Sequence, residues 1–119
     1  MFTCLIRYEV DLQKLKEFED YARSWISLIE KYGGQHHGYF IPGMSSEEIP
    51  NAEFSFPGIG SKGPDNIAVA LFSFPSVKAY ENYRRKVAED EECIAVTARF
   101  NKSKCFLSYE RNFLMPIFK

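Results

Sequence analysis

Hydrophobic and polar residues alternate along the first ten positions, and then the period changes. From Phe2 to Val10 the alternation puts Phe2, Cys4, Ile6, Tyr8 and Val10 on one face and Thr3, Leu5, Arg7 and Glu9 on the other. That period of two, rich in aromatic and β-branched residues, predicts a strand. Asp11 is placed to cap a helix. After it Leu12, Leu15, Phe18, Ala22, Trp25, Leu28, Ile29 and Tyr32 recur at three- and four-residue spacing, with lysines and acids between them. Burying each large apolar side chain of such a stripe contributes roughly 1.5–3 kcal/mol. Gly33-Gly34 ends the helix, because glycine takes the left-handed terminal conformation cheaply.

Gln35 to Ile41 predicts a second strand, stopped by Pro42-Gly43. A stretch with little periodicity follows, and residues 43–65 form a long loop. Loops of this length in a small domain are often lids or partner-binding arms. Phe54, Phe56 and Ile59 within it call for cover. Asn66 to Phe74, nearly continuous in apolar residues, predicts a central strand buried on both faces. Ser76 caps a second helix with Val77, Tyr80, Tyr83 (or Arg84) and Val87 inward. Asp90 caps a third, shorter helix that holds Cys93, Ile94, Thr97 and Ala98. Lys104 to Met115 predicts the last strand, closed by Pro116. The order β-α-β-loop-β-α-α-β is that of a ferredoxin-like α+β fold: an antiparallel sheet with helices on one face. Its bare face is then a surface for a partner or ligand.

The 119 residues suit a single domain, 1–119, and the 45% hydrophobic and 16% aromatic content supplies a bulky core. A formal net charge of −1 without a basic block argues against nucleic acid. The apolar run Ile67 to Phe72 is far too short to span a bilayer. Cys4, Cys93 and Cys105 are odd in number and lack a C-x-x-C pair, so they read as free thiols in a reducing, cytoplasmic setting. Gly58 to Gly63 fits G-x-G-x-x-G by letter, but a strand rather than a helix follows, which argues against a dinucleotide site.

Several segments resemble the NIPSNAP family, a branch of the dimeric α/β-barrel superfamily. They are KLKEFEDY in the first helix, KYGGQHHGYFIP through the second strand, ALFSFPSVKAYENYRRKVAEDEE through the third strand and second helix, and SYERNFLMPI at the end. Ile6 stands where many members carry an arginine two residues before the first-strand tyrosine, so any role of that arginine does not transfer. The resemblance implies a homodimer in which two sheets close a barrel. The superfamily uses that interior in cofactor-independent monooxygenases, isomerases and haem enzymes, and some members have no known reaction. No cofactor and no metal site are expected for this chain.

His36 and His37 are the most suggestive chemical pair. Neighbouring strand residues point to opposite faces, so the two cannot easily ligate one metal. One is expected on the barrel side and the other under the helices; the barrel-facing imidazole is either a general base or donor, or a histidine satisfied by hydrogen bonds at a sheet edge. Glu110 is a third catalytic candidate. Arg84 and Arg111, with Glu110, match charged positions of the family pattern; charges in an apolar strand are paired or wet. Glu110 is expected to meet an arginine, Arg84 or Arg7 first. Tyr8 and Tyr39 can orient a ligand together with Arg84 and Arg111, or simply fill the core. Three functions follow: a module that holds a small apolar or aromatic molecule in the barrel, a cofactor-independent monooxygenase or isomerase, or a purely structural dimer.

Overall fold

The computed structural model describes residues 1–43, 56 and 58–118. β1 (Phe2–Val10) runs through the alternating segment, and its even-numbered residues from Cys4 onward are all buried. Asp11 accepts a hydrogen bond from the Gln13 backbone N–H at 3.0 Å and so caps a 3-10 turn, Leu12–Lys14. The α-helix proper, α1, is Leu15–Lys31. The turn leaves Leu12 outside the apolar stripe and exposed, whereas Phe18, Ala22, Leu28 and Ile29 are buried.

β2 (Gln35–Phe40), β3 (Ile67–Phe74), α2 (Val77–Val87), α3 (Glu91–Ser103) and β4 (Phe106–Leu114) follow. The four strands form one antiparallel sheet in the order β2-β3-β1-β4. The helices pack on one side of it. Tyr8 meets Phe18 of α1 edge-on at 5.1 Å between ring centroids, and Phe74 meets Tyr83 of α2 at 5.0 Å. α3 lies beside α1 and is fastened to the sheet by Phe100 stacked on Phe106 at 4.2 Å.

The helix-side surface of the sheet is carried by Cys4, Ile6, Tyr8 and Val10 in β1 and by Ala68, Ala70, Phe72 and Phe74 in β3, all buried. The other surface carries Leu5 and Arg7 beside Val69 and Leu71, which are half-buried. The continuous apolar run of β3 is therefore covered on one face and only partly on the other, because the helices all take the same side. α3 differs from its predicted set: Ile94 is exposed, and the buried residue is Val96, in line with Cys93 and Phe100. Val77 of α2 is also exposed, in the first helical turn.

Asp90 ties the helical layer together. Its Oδ1 accepts the Glu92 and Cys93 backbone N–H groups and caps α3. Its Oδ2 accepts Lys31 Nζ at 2.6 Å and the Tyr32 hydroxyl, both at the end of α1. Close packing fixes that same corner from below. A Cβ added to Gly34 would lie 2.6 Å from Ile29 Cγ2 and 2.8 Å from Phe74 Cζ, so the chain turns where only glycine fits. Phe54 lies outside the described residues; Phe56 and Ile59, expected to be covered, are exposed. Gly58 to Gly63 leads into β3 with no helix after it, so the dinucleotide arrangement is absent there.

Candidate functional site

Between the sheet and the helices lies a cavity of about 180 Å³. Each wall follows from the spacing of one element. α1 presents Tyr21, Trp25 and Ile29, one per turn, and α2 presents Tyr80, Tyr83 and Arg84. The floor is the helix-side face of the sheet: Ile6 and Tyr8 from β1, Phe72 from β3, Tyr39 from β2, and Tyr109 and Arg111 from β4. Ala70 stands in register between Ile6 and Tyr39, and Ala68 beside Tyr8, so small side chains at the sheet centre leave room for these rings.

All four sequence-predicted ligand residues, Tyr8, Tyr39, Arg84 and Arg111, line this one cavity. It lies within a single chain, under the helices, rather than inside a barrel closed by two sheets. The Tyr8 and Tyr39 hydroxyls approach to 3.4 Å and their rings stack at 6.1 Å. Burial, first of all, pushes the phenols of Tyr8, Tyr21, Tyr39 and Tyr83 above the ordinary range, so they stay protonated. Burial also raises the Cys4 thiol to about 11, against the opposing pull of Arg111 and Arg84. Cys93 and Cys105 are raised by burial too. None of the three thiols is an activated nucleophile.

The two histidines part as strand neighbours do, and His37 sits in a bulge. β2 slips register between His36 and Gly38, and Gly38 takes φ +115°, which an L side chain rarely adopts. This turn lets the Gly38 N–H donate to His36 Nδ1 at 2.9 Å. An Nδ1 that accepts leaves the proton of the neutral ring on Nε2. Burial, and then the field of His37, lowers the His36 pKa to about 4, so the ring is neutral at physiological pH. His36 stacks on Tyr39 at 5.1 Å and against Phe72 at 5.6 Å, both cavity residues.

His37 belongs to the opposite surface, where its Nε2 is 2.8 Å from Ser73 Oγ, which in turn is 2.7 Å from Thr3 Oγ1. Glu110 is exposed on that same surface, in register with Arg7. No ion pair among the described residues involves Glu110, and Arg84 lies across the sheet from it. The expected Glu110–Arg84 pair is thus ruled out by the sheet itself. The three catalytic candidates do not converge.

Sequence reasoning missed Trp25, Tyr21 and Tyr109 as site residues. Only the structure marks the first of these: among the described residues, the buried side-chain atoms without a hydrogen-bond partner are Trp25 Nε1, His36 Nε2 and Arg111 Nε. Trp25 and Arg111 line the cavity, and His36 packs on two residues that do. A larger hollow of about 340 Å³ between α1 and α3 is edged by Glu17, Asp20, Arg99 and Lys102. It has no such unpartnered atoms, and Arg99 is paired with Glu92 at 3.0 Å.

No protein-family model matches the sequence, and no curated protein matches it significantly. Solved structures do match in fold. A NIPSNAP family protein of unknown function from Agrobacterium tumefaciens superposes with a TM-score of 0.69 at 15% identity, over 98% of this chain and 87% of that one. An uncharacterized NIPSNAP domain protein from Burkholderia xenovorans gives 0.68 at 18% identity, over 98% and 95%. A Nitrosomonas europaea protein described as a candidate antibiotic biosynthesis monooxygenase gives 0.62 at 9% identity, over 99% and 100%. The architecture of this chain, a four-stranded antiparallel sheet with its helices on one face, is therefore the fold of the NIPSNAP family structures it resembles.

Proposed function

We propose that this chain is a NIPSNAP-like single-domain protein that holds a small apolar or aromatic molecule in the cavity between sheet and helices. The observation that carries the reading is the cavity wall: tyrosines from five elements, one tryptophan and two arginines around about 180 Å³. Drug-sized ligands occupy roughly 300–1,000 Å³, whereas a cavity of ~150 Å³ takes up one benzene. The occupant is accordingly of single-ring size. Two copies pair through the outer face of the sheet, where Leu5, Val69 and Leu71 are only half-covered in one chain. Free thiols suit a reducing compartment such as the cytoplasm. Among the described residues no helix is long and apolar enough to cross a membrane.

Native mass spectrometry of the protein purified from its own host tests this. A retained molecule of single-ring size is expected; protein that is free of small molecules after gentle isolation contradicts the reading.

A second reading, cofactor-independent monooxygenase or isomerase, is favoured by the monooxygenase description of one structural neighbour. The chain's own groups supply positioning more readily than a base. His36 uses Nδ1 to accept Gly38 N–H, and the buried phenols remain protonated. Such an enzyme would hold its substrate among the tyrosines and let the substrate provide the reactive electrons. Oxygen consumption with phenols and hydroquinones of single-ring size separates the two readings.

A further inference from the structure

We propose that the cavity selects molecules that carry an anionic head, such as a small aromatic carboxylate, over neutral molecules of the same size. The inference rests on the ligand-binding reading above and adds the ligand's charge and the groups that meet it.

The three buried polar atoms without partners are all donors. Trp25 Nε1–H and Arg111 Nε–H can only donate, and His36 Nε2 carries the ring proton because Nδ1 already accepts Gly38 N–H. Among the described residues no buried side-chain oxygen is left without a partner, so the unmet groups are donors alone. A buried donor without an acceptor has lost its hydration for nothing, so two of them on the cavity wall and a third packed against its lining call for an acceptor from outside the chain.

The charges agree with the donors. Arg84 and Arg111 bring two cations to the cavity, and no aspartate or glutamate lines it. Neither arginine takes part in an ion pair among the described residues. Their field is felt on Cys4 and Tyr83, where both act to favour the deprotonated form. A carboxylate accepts several hydrogen bonds at once and meets a guanidinium through charge-assisted contacts, so it suits both features. The ring of such a ligand would lie against the tyrosine faces, which offer apolar area and hydroxyl donors together.

The test compares benzoate with benzyl alcohol, which matches it in ring and size but carries no charge. Titration calorimetry gives both affinities, and the fluorescence of Trp25, the chain's one tryptophan, reports binding at the cavity. Benzoate is expected to bind at least about tenfold more tightly, the scale of a hydrogen bond to a charged group. Arg111→Met should weaken benzoate far more than benzyl alcohol and so remove that preference. Trp25→Phe, which keeps an apolar ring and loses the N–H, should narrow it, and circular dichroism shows that each variant is folded. Equal affinity for the two probes, or an Arg111→Met loss shared by both, overturns the anion preference and leaves the cavity reading standing. If neither probe binds at millimolar concentration, the cavity reading itself fails, and this inference with it.

Discussion

His36 shows how one backbone turn decides what a titratable side chain can do. The bulge at Gly38 commits Nδ1, burial keeps the ring neutral, and Nε2 is left as an unpartnered donor. Its folded pKa of about 4 lies below the unfolded value of 6.5. Between those values the unfolded chain binds a proton that the folded chain refuses, so stability falls as pH drops from 6.5 toward 4. Above 6.5 the group is neutral in both states and contributes no pH dependence. Denaturant midpoints measured across that range should decline in the wild type and flatten in His36→Gln; parallel curves would contradict the assignment. Gly38→Ala forces a side chain into φ +115° and should cost about 1–3 kcal/mol, read as a shift in the same midpoint. These residues also mark the limit of the sequence. Strand alternation separates His36 from His37 and Glu110 from Arg111, but it carries no sign of the bulge. Trp25 and Tyr21 belong to the apolar stripe of α1, and a residue that lines a cavity has the same helical period as one that fills a core.

Elements were legible where the period was strong and the ends were chemically marked. Ser76 and Asp90 cap their helices as expected, Asp11 caps the 3-10 turn ahead of α1, and the four strands lie within two residues of their predicted limits. α3 was legible in its start but not in its length or orientation: expected as the shorter helix, it runs 13 residues against 11 in α2. Its weak amphipathicity leaves Ile94 and Val96 as near equivalents, and packing of Phe100 on Phe106 decides in favour of Val96. Asp90 carries a testable consequence of its own. Hydrogen bonds from Lys31 first, and then from Tyr32, hold its carboxyl well below the usual carboxylate range. A depressed folded pKa stabilises the fold above the ordinary pKa of about 3.9, and the benefit fades as pH falls through and below it. Asp90→Asn, which keeps an N-cap and loses the charge, should lower the melting temperature at pH 7 by more than at pH 3. An equal loss at both would show that the cap, and not the ion pair to Lys31, is what matters.

At the scale of the molecule, the sheet has two dissimilar faces. The helix side is closed by aromatic packing around Phe18, Tyr83 and Phe106, and within that packing it keeps one tyrosine-lined space. The outer side mixes Leu5, Val69 and Leu71 with Arg7, Glu9 and Glu110. If it is the surface on which two copies pair, Leu71→Asp buries a carboxylate against apolar neighbours and should turn a sedimenting dimer into a monomer at micromolar concentration. A wild-type monomer under those conditions would remove the dimer from the account. Pairing there leaves the cavity untouched, since the two lie on opposite sides of the sheet. The ferredoxin-like topology was legible from the order of periods alone. The place of the ligand site was not, because both faces of β3 are apolar in sequence and only helix packing tells them apart.

The position of the site is the central claim, and side-chain nitrogen signals in a two-dimensional proton–nitrogen NMR titration test it most directly. With benzoate or the molecule retained from the host as titrant, the Trp25 Nε1–H and Arg111 Nε–H resonances should shift together, along with Tyr39 and Tyr83 backbone amides. Shifts confined to His37, Ser73 and Glu110 would place the ligand on the outer face of the sheet and contradict the account.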